Sequence, residues 1–166
     1  MSIYQLLSTA FQYPAAGMLE KLEAGIHTEN ISRNSDFNKF VKEISKLSLS
    51  EWEELYTYTL DLNPAVAPYV GFQMWGENYK RGSFLSHLNR EFFEADVELF
   101  GELPDHLAPI LLYLEISANP LPELVEVLPQ ALDKMITILK KENEDNPYLH
   151  LFKATLSVVD KKPVKS

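Results

Sequence analysis

Apolar residues recur at three- and four-residue spacing along almost the whole chain, and prolines cut that pattern into pieces. Such spacing places the apolar side chains on one face of a helix, while a residue preceding proline avoids the α region and ends it. Ile3, Leu6, Leu7, Ala10 and Phe11 predict a first helix, stopped by Tyr13-Pro14. A second runs over 15–24 and ends at Gly25, and a third carries Phe37, Phe40, Val41, Ile44 and Leu47. A fourth opens on Ser50 and Glu53, the spacing of a capping box, and reaches Leu60. Further helices are expected over 66–75, 83–100 and 104–118, then over 121–128 and 129–141 (or one helix kinked at Pro129), and lastly from Tyr148 to Val159. "YTYTLDL" alone resembles a strand, but it sits inside a better helical pattern. The expectation is one compact all-α domain of eight to ten helices over residues 1–160, with a flexible tail at 161–166.

Composition narrows the function. With 166 residues, 46% of them hydrophobic, the chain can bury a substantial core. The sequence holds no run of ~18 apolar residues of the kind that spans a bilayer. The first residues lack a basic leader, so a cytoplasmic protein without membrane insertion is expected. Cysteine is absent, which removes disulfides, thiolate metal sites and cysteine nucleophiles. Net charge is −9, unevenly spread. The 43 residues between Arg90 and Lys134 hold ten acids and no Lys or Arg, against 14 acids and 15 bases elsewhere. That disfavours nucleic acid, which needs a basic footprint, and favours a cationic partner.

Two groups of residues invite a chemical reading. His87, Glu91, Glu94 and Glu98 share a helical face at i, i+4, i+7 and i+11. Carboxylate metal sites use such helices, but no second segment of this kind exists, so a solvated acidic face without metal or cofactor is expected. The second group is "GELPDHLAPILLYLE", residues 101–115. Pro104, Asp105 and His106 could simply open a helix whose apolar face is Leu107, Ile110, Leu111 and Leu114. They could instead form a recognition element with Glu102. The readings part at Asp105→Asn, which should alter stability if it opens a helix and binding if it recognises a ligand. No nucleophile elbow, phosphate loop or metalloprotease motif appears, so no enzymatic activity is expected. Large aromatics crowd the middle of the chain; Trp75 and Tyr79, flanking a glycine-containing turn, are candidates for lining a groove with Leu107.

"LLSTAFQYP", "LYTYTLDLNP", "MWGENYKRGSFLSHL" and "ELPDHLAPILLYLE" follow one another in this order. Over residues 3–116 the chain thereby resembles the TorD/NarJ-like redox-enzyme maturation chaperones, most of all the NarJ (nitrate reductase delta-subunit) branch. Ile110 stands where the wider family often has glutamate and the nitrate-reductase branch tends to be apolar. The chain departs from that branch at Leu112, where a glutamate is expected, and from the family at Trp75, where phenylalanine is typical. The resemblance implies an all-helical, non-enzymatic chaperone. It would bind the N-terminal, twin-arginine-like segment of a molybdenum-cofactor oxidoreductase until the metal centres are inserted. The implied peptide contacts are Trp75, Tyr79, Glu91, Glu94, Glu98, Glu102, Pro104, Asp105, His106 and Leu107, with Asp105 pairing with a peptide arginine. A carboxylate–histidine metal enzyme and a helical adaptor without a maturation role are the alternatives. A monomer, with a minor dimer swapped through the proline-rich 119–129 segment, is expected.

Overall fold

A computed structural model describes residues 1–160; the expected flexible tail, 161–166, lies outside the described residues. Nine α-helices follow in chain order among the described residues: α1 Ile3–Ala10, α2 Met18–Thr28, α3 Asp36–Ile44, α4 Leu49–Tyr56, α5 Val70–Trp75, α6 Tyr79–Ala95, α7 Leu107–Ile116, α8 Pro122–Asn143 and α9 Pro147–Val159. The fold is all-α; the only extended pairing among the described residues is a single antiparallel bridge between Tyr69 and His106.

Helix α7 lies at the centre. Seven of its ten residues are buried, as expected of a helix that is apolar all round. Helix α1 packs along it, and Ser8 Oγ donates to the Ala108 carbonyl at 2.8 Å. The pairs α3–α9, α8–α9 and α5–α8 complete the layers, and one apolar core draws side chains from all nine helices. Several buried polar groups are paired across it. Trp52 Nε1 donates to Tyr148 Oη at 3.0 Å, and Asn146 Nδ2 donates to Thr59 Oγ1 at 2.8 Å.

Several boundaries differ from the expected ones, each for a local reason. Gly25 does not stop α2. It lies inside the helix, where a Cβ would stand 2.2 Å from Leu6 Cδ2, so it is the point of close approach to α1. The capping box of α4 is Ser48 with Glu51, two residues earlier than the Ser50–Glu53 pair. "YTYTLDL" continues α4 as a π-helical turn, Thr57–Asp61. The expected 66–75 helix splits into a 3₁₀ turn, Pro64–Val66, and α5, because Ala67 is extended ahead of Pro68. Helix α6 takes in the "YKRG" turn under an Asn78 cap, and it ends at left-handed Asp96 instead of running to Phe100. Pro129 sits within an unbroken α8, so the proline-rich hinge shrinks to the residues joining α7 to Pro122.

Candidate functional site

The Pro-Asp-His segment ties two helix starts together. Val70 N–H donates to the Asp105 carbonyl and Leu107 N–H donates to the Pro68 carbonyl, both at 2.9 Å. Across this small bridge the Asp105 carboxylate accepts the Gly71 N–H at 3.0 Å, capping α5 rather than its own helix. It also takes a two-pronged contact from Arg81, with Nε at 3.0 Å and Nη2 at 3.2 Å. Asp105 is 0% exposed and Arg81 is buried, stacked over the Tyr69 and Phe72 rings. The expectation that Asp105 pairs with a peptide arginine is therefore corrected: the chain's own Arg81 occupies it. A Cβ on Gly71 would stand 2.8 Å from Asp105 Oδ2, so the contact requires glycine there.

Its neighbours divide the remaining roles. Pro104 and Leu107 are buried, and neither offers a surface. Helix α7 opens three residues after Pro104, with His106 as its cap: Nδ1 accepts the Ala108 N–H at 3.0 Å. That bond leaves the ring proton on Nε2, where it is a donor. Burial lowers the His106 pKa to about 4, against the raising effect of Glu102 and Asp105, so the ring is neutral at pH 7. The helix-start reading thus holds for His106 alone.

His106 and Glu102 reach a cleft of about 320 Å³, shared with Gln12, Tyr13, Tyr56, Phe100 and Ala108. Left-handed Phe100 and Gly101 turn the chain into its wall. Tyr69 stands edge-on to His106 at 5.1 Å and donates its hydroxyl to Glu102. Asp61, at the end of the π-turn, feels the same charge. Its carboxyl pKa is raised first by partial burial and then by Glu102. The Tyr56 hydroxyl is pushed up by burial, and further by Asp61 and Glu102. Among the described residues neither Asp61 nor Glu102 has an ion-pair partner.

The lining comes from three stretches that carry no Lys or Arg at all: 1–20, 47–79 and 91–133. Only the last stands out in the sequence as a block of acids. The others are merely free of bases, and nothing in the chain order says that Tyr13, Tyr56 and Glu102 meet. Gln12, Tyr13, Tyr56, Phe100 and Ala108 are the site residues that periodicity and motif spacing miss.

The other expected contacts are scattered. Glu91 accepts the Tyr113 hydroxyl at 2.6 Å, and burial followed by that bond pushes the Tyr113 pKa up to about 12. Glu94 is exposed on α6, but Glu98 lies beyond the αL cap at Asp96, so the expected four-residue face does not form. His87 instead stands 3.5 Å from Glu123 of α8. Among the described residues no three His, Asp or Glu side chains are grouped to hold a metal ion. Trp75 is partly buried edge-on against Phe84 at 5.2 Å, Tyr79 is exposed at the start of α6, and Leu107 is in the core, so these three do not form one groove. No helix among the described residues is long and apolar enough to cross a membrane. No family model matches the chain, and no curated protein matches it.

Proposed function

We propose that this protein is a non-enzymatic peptide-binding chaperone that holds a cationic N-terminal segment of a molybdenum-cofactor oxidoreductase. The client segment is of the twin-arginine kind, kept from docking or export until the enzyme's metal centres are in place. The molybdoenzyme assignment rests on the sequence resemblance. Cationic peptide recognition is supported by one observation: the cleft at Glu102 and His106 is walled only by base-free stretches of chain, and among the described residues neither Glu102 nor Asp61, which feels its charge, has an ion-pair partner. Like charges held together raise one another's energy, and an arginine entering the cleft relieves that while gaining charged hydrogen bonds. The tyrosines supply flat surfaces on which a guanidinium stacks, and His106, neutral at pH 7, adds no repulsion.

Calorimetric titration with an N-terminal client peptide tests the reading. Glu102→Gln keeps an acceptor for the Tyr69 hydroxyl but removes the charge. It should weaken binding by about tenfold or more, since a hydrogen bond to a charged group contributes ~1.5–3 kcal/mol. An unchanged affinity would remove the cleft from the reading. Co-purification separates a chaperone from an adaptor: the chaperone is recovered with the immature catalytic subunit and not with the mature enzyme.

A further inference from the structure

We infer that a second, apolar subsite adjoins the acidic cleft across Tyr13, and that it selects a bulky apolar residue carried by the same cationic peptide. This rests on the peptide-binding reading above. Tyr13, Tyr58 and Leu62 are 50%, 74% and 72% exposed. All three line one shallow groove of about 250 Å³, with Glu53, Glu54 and Thr57. Three large apolar side chains left in water at one spot form the kind of patch that marks an interaction surface. Tyr13 lines both the groove and the cleft, its ring edge-on to Tyr56 at 5.3 Å, so the two adjoin.

The local backbone explains why this patch stays outside the core. Within the π-turn, Leu60 enters the core and Thr59 is buried, held by the Asn146 side chain. That commits one face of the turn inward and leaves Tyr58, together with the following Leu62, on the other. The turn closes with Leu62 N–H on the Thr57 carbonyl at 2.9 Å, a five-residue span. Such wide turns are uncommon and concentrate at functional sites. Charge identifies the occupant. Glu53 and Glu54 edge the groove, Asp61 lies at the end of the same turn, and residues 47–79 contain no base to offset them. An acidic peptide is repelled along this whole track. A chain bearing arginine for the cleft and a leucine or phenylalanine for the groove satisfies both halves.

Two synthetic peptides provide the probes, one with an arginine pair beside a Leu-Phe block and one with the block replaced by serines. Each is titrated into the parent protein, into a Tyr58→Ser/Leu62→Ser double variant, and into Glu102→Gln. The double variant should bind the first peptide roughly tenfold more weakly, the scale of one buried apolar side chain, and bind the serine peptide as the parent does. Both altered residues are about three-quarters exposed, so its melting temperature should match the parent's. If the double variant binds the Leu-Phe peptide normally while Glu102→Gln weakens both peptides, the groove is no subsite, though the cleft reading survives. If Glu102→Gln changes neither, both fall. Equal weakening of both peptides by the double variant would overturn the selectivity. So would light scattering that shows the parent dimerising at these concentrations and the double variant not, since the groove would then seat a second copy.

Discussion

Asp105→Asn is the substitution on which structure and sequence expectation divide most sharply. A recognition role predicts weaker binding with an unchanged melting temperature. The geometry predicts a large loss of stability. The carboxylate is fully buried and accepts three donors, from Gly71 and from two nitrogens of Arg81. Asparagine offers one acceptor oxygen, and its amide turns N–H groups toward donors that already lack an acceptor. The guanidinium, whose side chain is only 10% exposed, loses its buried counter-charge. Breaking a buried pair by removing one partner costs ~3–5 kcal/mol. Glu77, 3.1 Å from Arg81 Nη1 but largely exposed, offsets part of this, so about 3 kcal/mol is expected. For a domain of this size that lowers Tm by about 6–12 °C. Thermal melts and urea titrations followed by circular dichroism measure it. A double-mutant cycle with Arg81→Met isolates the pair: Arg81→Met should cost less in the Asp105→Asn background than alone. A Tm within about 2 °C of the parent's would refute the reasoning, as would additive single costs.

Other consequences follow from the same packing. The folded pKa of His106 lies below its unfolded value of ~6.5, so the unfolded chain takes up that proton first. Its contribution is complete above pH ~6.5 and fades as pH falls toward 4, by up to about 3 kcal/mol. His106→Asn, which keeps a capping acceptor, should flatten urea midpoints between pH 7 and 4.5 relative to the parent; parallel curves would count against it. Gly25→Ala should destabilise by ~1–3 kcal/mol through overpacking on Leu6, despite the better helix propensity of alanine, and a rise in Tm would show that α2 and α1 are not so close. Client-peptide affinity should fall with added salt yet not vanish, because charges are screened at ~8–10 Å while apolar contact is not. A salt-independent isotherm would argue against the acidic cleft.

Periodicity reads the helices well because it reports burial, and burial is what α1, α3, α7 and α9 share. It fails where tertiary contact decides. Gly25 looks like a stop signal, yet it serves a helix crossing that cannot be seen without α1 in place. Asp96 gives no sign in the sequence that it takes the left-handed conformation ending α6, and with it the supposed Glu91–Glu98 face dissolves. Pro104-Asp105-His106 is correctly marked as special. Its division of labour, with Asp105 capping a different helix and His106 capping its own, depends on a bridge to Tyr69 that is 37 residues away in sequence.

The acids separate into two kinds once their partners are known, and counting charge along the chain cannot make that distinction. Asp105 has a buried cation, Arg81, and two helix starts to hold, so its negative charge is neutralised inside the fold. Glu91 is likewise engaged, by Tyr113. Among the described residues Glu102 and Asp61 have no ion-pair partner, and Asp61 feels the field of Glu102, which lines a cleft built from stretches without bases. A charge that already has a buried partner gains little from a ligand, whereas an unpartnered one beside a second acid gains from any cation that reaches it. Recognition is therefore expected at Glu102, with Asp61 adding its field and Asp105 and Arg81 behind as the frame. The two roles are separable: Asp105→Asn should lower Tm, and Glu102→Gln should lower affinity with Tm unchanged.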